Sequence, residues 1–305
     1  MGELATGSLL NAELQAVCEA TGSYLPPYSP LALAAWRGRE AEVTELVEAT
    51  TEEVLDRGET LGLSAAQWTN AVLYNGLGRY EEALAAAERV GEYQDVGFSD
   101  WSLAELILSA VRCGKPGRAA GALQQLAARA RDSGSDWALG IEARSRALLS
   151  EGDDAESLYQ ESIARLSRTR IRAELARAYL QYGEWLRRQR RRRDAQDRLR
   201  TAVEMFDAMG MEAFAGLARA ELRATGERAR PRSPGAPEVL TAQEAQIARL
   251  VTGHLSNREI AARLFISAST VEYHLRKTFR KLGVSNRTQL AWTLRNDKGT
   301  PAQQD

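Results

Sequence analysis

Cysteine is nearly absent from this 305-residue chain: Cys18 and Cys113 stand far apart, outside any CxxC spacing. Neither a disulfide framework nor a zinc site is expected, and a reducing compartment fits. Histidine is as scarce. His254 and His274 are the only two, and no Ser, Cys or Asp is patterned beside His274 to make it catalytic, so a packing or phosphate-contacting imidazole is expected there. A GxxxxGK[ST] phosphate loop is missing, as is any cluster of metal ligands. These absences argue against an enzyme and predict no cofactor and no metal. The N-terminus, MGELATGSLL, has neither a basic stretch nor an apolar run long enough for a signal peptide or a membrane span, so a cytoplasmic chain is expected. Lysine is also rare, four against 36 arginines, which suggests a GC-rich bacterial coding sequence. MGELAT fits the loose myristoylation pattern, but that pattern has meaning only in eukaryotes.

Proline falls at eight positions and nowhere between 117 and 230, so long helices are permitted there. No Val/Ile/Thr run alternates with period two, and no sheet is expected. Ala, Leu, Glu, Arg and Gln dominate instead, with apolar residues three and four apart and single glycines breaking the pattern. In YNGLGRYEEALAAAERV, Gly78 closes one helix, Tyr80 enters the next, and Ala83 and Ala87 sit where two helices approach closely. SAVRCGKPGRAAGALQQLAARA repeats this 36 residues on, with Gly114 and Ala119. Weaker copies surround Gly152 and Ala195, and LALAAWRGREAEVTELVEAT adds one more pair upstream. The pattern is similar to that of tetratricopeptide repeats, and implies stacked helical hairpins with one continuous core and a concave surface. That surface would serve a protein partner or a small ligand.

Some features invite a functional reading and have plainer ones. The run RRQRRRR, residues 187–193, falls at an inter-helix turn of an acidic region, where a solvated, ion-paired surface is expected before a nucleic-acid stripe. GDD at 152–154 reads as a turn whose aspartates cap a helix. Trp36, Trp68, Tyr74, Trp101, Trp137 and Trp185 recur at helix-pair spacing and are expected as core anchors.

Charge divides the chain. Residues 237–305 carry ten Lys+Arg against six Asp+Glu, and residues 1–236 carry 30 against 35. The expected domains are an N-terminal segment (1–29), a helical repeat region (30–226), a Pro/Gly/Arg linker (227–239), a DNA-reading domain (240–296) and a tail (297–305). From Leu240 onward, Thr241 and Glu244 form a capping box for a helix with Ile247, Leu250 and Val251 on one face. Ser256 and Glu259 form a second box for a helix with Ile260, Ala261 and Leu264 inside. Ser267 caps a third helix running to about Leu282 and ending at Gly283. Projected at 100° per residue, Val271, Leu275, Thr278, Phe279 and Leu282 face the core. Ser269, Glu272, Tyr273, Arg276 and Arg280 face out, and Lys277, Arg280 and Lys281 suit phosphates.

LTxxE, GxxSNxEIA, LxIS, TVxxHL and KLGVxxR stand in order across residues 240–287, and this set resembles the LuxR-type helix-turn-helix domain. The resemblance implies four helices, with Glu272, Tyr273 and Arg276 reading bases and Ser269, Thr270, Lys277, Arg280, Lys281 and Arg287 on phosphates. It also implies a fourth helix over 286–295, whose Leu290, Trp292 and Leu294 support a homodimer on double-stranded DNA. The helical repeats joined to such a domain look like the C-terminal part of large ATP-binding LuxR-family regulators, without their ATPase domain. The function implied is a transcriptional regulator; the alternative is a helical adaptor whose C-terminal domain mainly dimerises. Glu272 leaves two readings open, an i,i+4 orienting partner for Arg276 or an acceptor for cytosine N4.

Overall fold

The computed structural model describes residues 4–57, 59–93, 97–227, 242–252, 255–264, 268–282, 284 and 286–290. Every regular element among them is a helix. The chain divides into two compact units, Met1–Ala229 and Arg230–Asp305.

The first unit contains α1 (Leu4–Thr21), α2 (Tyr28–Arg37), α3 (Glu40–Arg57), α4 (Thr60–Leu77), α5 (Tyr80–Glu92), α6 (Phe98–Arg112), α7 (Pro116–Ser133), α8 (Asp136–Ala147), α9 (Gly152–Ser167), α10 (Arg172–Arg188), α11 (Arg192–Met209) and α12 (Glu212–Ala224). Local chemistry sets many of the ends. Pro116 occupies the first turn of α7, where its missing N–H costs nothing. Ser135 Oγ caps α8 by accepting from Ala138 N at 3.2 Å. Gly38, Gly78, Gly114 and Gly210 take left-handed φ, each two residues before the next helix starts. In each of these turns the following residue donates its N–H to the carbonyl five back, as Arg79 does to Tyr74 at 2.8 Å. Ala83, Ala87, Ala119 and Ala195 are fully or almost fully buried. These are the small residues expected where paired helices meet.

Each odd-numbered helix from α3 to α11 packs against the even-numbered helices before and after it in the chain. The even-numbered ones pack on one another, α4 on α6, α6 on α8, α8 on α10, α10 on α12. Helix α12 then returns onto α4 and α2. The hairpins therefore close around their inner face and do not leave the open concave surface expected from the repeat pattern. What they enclose is charged. Arg177 grips Glu105 with both guanidinium arms, each at 2.7 Å, and reaches Glu174 at 3.1 Å. Arg144 meets Glu174 at 2.7 Å, Asn75 donates to Glu105 at 2.8 Å, and Arg112 pairs with Glu184. Apolar packing splits around this network into one large cluster and smaller satellites, not the single core expected. A residual cavity lined by Asn75, Arg112, Arg177, Gln181 and Glu184 has room for about one water.

Two expectations need correction here. Trp68 and Trp185 are buried, and Trp36, Tyr74 and Trp137 are partly so, but Trp101 is 46% exposed against Trp68 and Phe98. Asp153 and Asp154 lie in the first turn of α9 and add negative charge at its positive end, yet no side chain makes the cap hydrogen bond. The segment placed before the repeats contributes α1, which buries none of its own residues.

The second unit contains α13 (Ala242–Thr252), α14 (Asn257–Leu264) and α15 (Ala268–Leu282), followed by helical residues 287–290. Ile247, Val251, Ile260, Ala261, Val271, Leu275 and Leu290 form its core, with Leu250, Leu264, Phe279 and Leu282 packed around them.

Candidate nucleic-acid interface

Helix α14 begins with the second capping box. Ser256 N donates to a Glu259 carboxylate oxygen at 2.6 Å, and Glu259 N donates back to Ser256 Oγ at 3.3 Å. The bonds from Ser256 hold the Glu259 carboxyl below the usual range. Thr241 and the side chain of Glu244 lie outside the described residues, so the first box does too; so do Ser267 and Gly283.

Helix α15 packs on both α13 and α14. Val271, Leu275 and Thr278 are buried, and Phe279 and Leu282 are partly so. The inner stripe is the one the 100° projection predicts, and it turns the opposite side of the helix outward. There Glu272 and Arg276 are exposed, at 60% and 72%, with their charged ends 3.7 Å apart. The carboxylate precedes the guanidinium by one turn, the favourable order for such a pair, worth roughly 0.2–0.5 kcal/mol. So weak a contact orients Arg276 without locking it.

The remaining predicted site residues divide. Thr270, Lys277 and His274 are half-buried on α15. Ser269, Tyr273, Arg280 and Lys281 fall within α15, but their side chains lie outside the described set. Arg287 donates to Asn257 Oδ1 at 2.7 Å and to the Leu255 carbonyl. Its guanidinium ties the entry of α14 to the start of the last helical segment. Asn286 Oδ1 caps that segment by accepting from Gln289 N at 2.9 Å. Leu290, expected at a dimer contact, is fully buried in its own unit, where it packs with α13, α14 and α15. Trp292, Leu294 and His254 lie outside the described residues. Asn257 was not anticipated as a structural partner, although it stands inside the GxxSNxEIA motif.

Residues 238–294 match the family model of bacterial regulatory proteins of the luxR family. The C-terminal unit carries a LuxR-type helix-turn-helix domain. An HTH-type transcriptional regulator of Mycobacterium bovis is 48% identical over 69 residues, 22% of this chain and 8% of that protein. The transcriptional regulatory protein LiaR of Bacillus subtilis is 40% identical over 77 residues, 25% of this chain and 34% of its own. The monoamine regulon transcriptional regulator of Klebsiella aerogenes is 50% identical over 54 residues, 18% and 24% respectively. The matched stretch thus spans less than a tenth of the mycobacterial relative and about a third of LiaR. No solved structure matches the chain. Among the described residues no helix is long and apolar enough to cross a membrane, and no group of His, Cys, Asp and Glu is placed to hold a metal.

Proposed function

We propose that this chain is a sequence-specific DNA-binding transcriptional regulator, not an enzyme, with α15 lying in the major groove of double-stranded DNA. The exposed Glu272–Arg276 pair carries this reading, because both side chains stand open on α15 while Val271, Leu275 and Thr278 are buried in the domain. A groove about 12 Å wide admits a helix, and an arginine there suits guanine O6 and N7. Glu272, Tyr273 and Arg276 are assigned to base edges, and Ser269, Thr270, Lys277, Arg280 and Lys281 to phosphates. Arg287 joins that set through the N–H donors that its bonds to Asn257 and Leu255 leave over.

Glu272 has a use that a phosphate-binding helix alone would lack. Its charge opposes docking on any polyanion while it steadies Arg276 for one base. Glu272→Ala is therefore expected to keep or strengthen binding to random duplex and to broaden the preferred operator. Arg276→Ala should weaken operator binding by about 1–3 kcal/mol, roughly 5- to 150-fold. Selection of oligonucleotides by the full chain and both variants tests this. Identical preferences for all three would refute the assignment, and no binding to any duplex would favour the adaptor reading.

A single reading helix covers one half-site, so a homodimer on half-sites about 10 bp apart is proposed. Trp292 and Leu294 are assigned to its contact through the family resemblance. The first unit is proposed as a tetratricopeptide-like input platform for a protein or small ligand. Its alternating hairpins and shared turn geometry support that reading.

A further inference from the structure

The turn between α10 and α11 departs from the others. It has the same backbone as the turns at Gly38, Gly78, Gly114 and Gly210, with Arg191 N bonded to Leu186 O at 3.0 Å. The left-handed position is nevertheless filled by Arg190, at φ 62°, the one non-glycine with positive φ among the described residues. A side chain there is strained, and glycine would relieve it. Arg191 flanks the start of α11 and Arg192 and Arg193 open it, at the end where the helix dipole is itself positive and cations are unfavourable. Two positions of the run are neutralised: Arg187 pairs with Glu221 at 2.7 Å, and Arg191 with Glu156 at 2.6 Å and Asp194 at 2.8 Å. Arg190, Arg192 and Arg193 are exposed, and none makes an ion pair with the described residues. The nearby carboxylates of Asp197 and Glu227 are taken by Arg200. Folding alone gives no account of three cations placed against backbone strain and the helix dipole.

The location identifies the partner. Gln196, one turn into α11, donates to Thr225 at 3.1 Å, so the chain leaves the helical unit from the same end as this turn. The sequence then adds Arg228, Arg230 and Arg232 before the LuxR-type domain begins. Residues 228–241, fully extended, span at most about 50 Å, or about 15 bp of duplex. We propose that Arg190, Arg192 and Arg193 contact the phosphate backbone of the DNA flanking the operator. The planar guanidinium fork suits phosphate oxygens, and the tether keeps the turn at high effective concentration near any duplex the reading helix holds. The proposal rests on the DNA-binding role of the C-terminal unit.

The test uses the full chain and the variant Arg190→Gly/Arg192→Ser/Arg193→Ser. Binding is measured across a salt series on operator duplexes that are either bare or extended by about 20 bp on each side, beyond the tether's reach. Wild type is expected to bind the extended duplex about tenfold more tightly than the bare one, through the added phosphate contacts. The variant should lose that gain, match wild type on the bare duplex, and show a log–log salt slope shallower by about 2 to 3 on the extended one. Its melting temperature should equal or exceed that of wild type, because glycine suits the left-handed turn. Should the triple variant misfold, Arg190→Gly alone is expected to reduce the slope by about 0.9. An unchanged slope and flank gain in a folded variant overturns the proposal. If wild type ignores the bare operator, the reading-helix assignment fails, and slopes on random extended duplex decide the arginine contact separately.

Discussion

Tyr159 is fully buried, stacked on Tyr182 at 5.4 Å between centroids and tilted against Trp185 at 6.1 Å, and its hydroxyl has no hydrogen-bond partner among the described residues. Burial pushes the phenol up to about 12, only partly opposed by Arg112, Arg188 and Arg144. A buried polar group left unsatisfied costs about 1–3 kcal/mol. Tyr159→Phe keeps the ring stack and removes that cost, so the variant should be as stable as wild type or more so in urea denaturation. A loss above about 1 kcal/mol would mean that the hydroxyl is satisfied after all. The sequence reveals single residues unevenly, and for a physical reason. The Glu272–Arg276 pair could be read directly, since i,i+4 geometry is fixed by the helix. The aromatic spacing places Trp68 and Trp101 on helix faces alike, but how far a neighbouring helix covers each is a matter of packing. One came out buried and the other exposed.

Helix α14 shows how much an element owes to its first four residues. Ser256 and Glu259 satisfy each other's backbone N–H groups, and loss of such a cap costs about 1 kcal/mol. Ser256→Ala should lower the melting temperature of the C-terminal unit, followed in the full chain as a transition separate from the helical unit. The Glu259 carboxyl is depressed by its bonds to Ser256, so its contribution is complete above the ordinary Glu value near 4.3 and fades as pH falls below it. The Ser256→Ala difference should therefore narrow in acid. This box was readable because its members lie three residues apart. The brace from Arg287 to Asn257 was not, although both residues stand in the motifs, because 30 residues separate them and only the packed domain brings them together. Likewise the stripes of α15 followed from its period, whereas the burial of Leu290 depended on where three other helices leave space for it.

The whole helical unit depends on a network that no local pattern announces: Glu105 and Arg177 are 72 residues apart and meet only because the even-numbered helices close on one another. Repeat spacing yielded the hairpins, but the final curvature is a sum of small rotations, and it decides whether the inner face is open or filled. Burial alone would raise the Glu174 carboxyl, yet Arg144 and Arg177 together hold it below the usual range. Removing one member leaves charges buried without a partner, so Arg177→Met should cost about 3–5 kcal/mol in chemical denaturation. For Glu174 the depressed value means that the native state holds its proton less tightly than the unfolded chain. Its stabilisation is fully present above about pH 4.3 and is lost as pH falls through the lower folded value. Glu174→Gln should accordingly be much less stable than wild type at pH 7, with the two urea midpoints converging toward pH 3. A gap of equal size at both pH values would show that shape, not charge, is what Glu174 supplies to the interior, and the ionic account of how the hairpins close would fail.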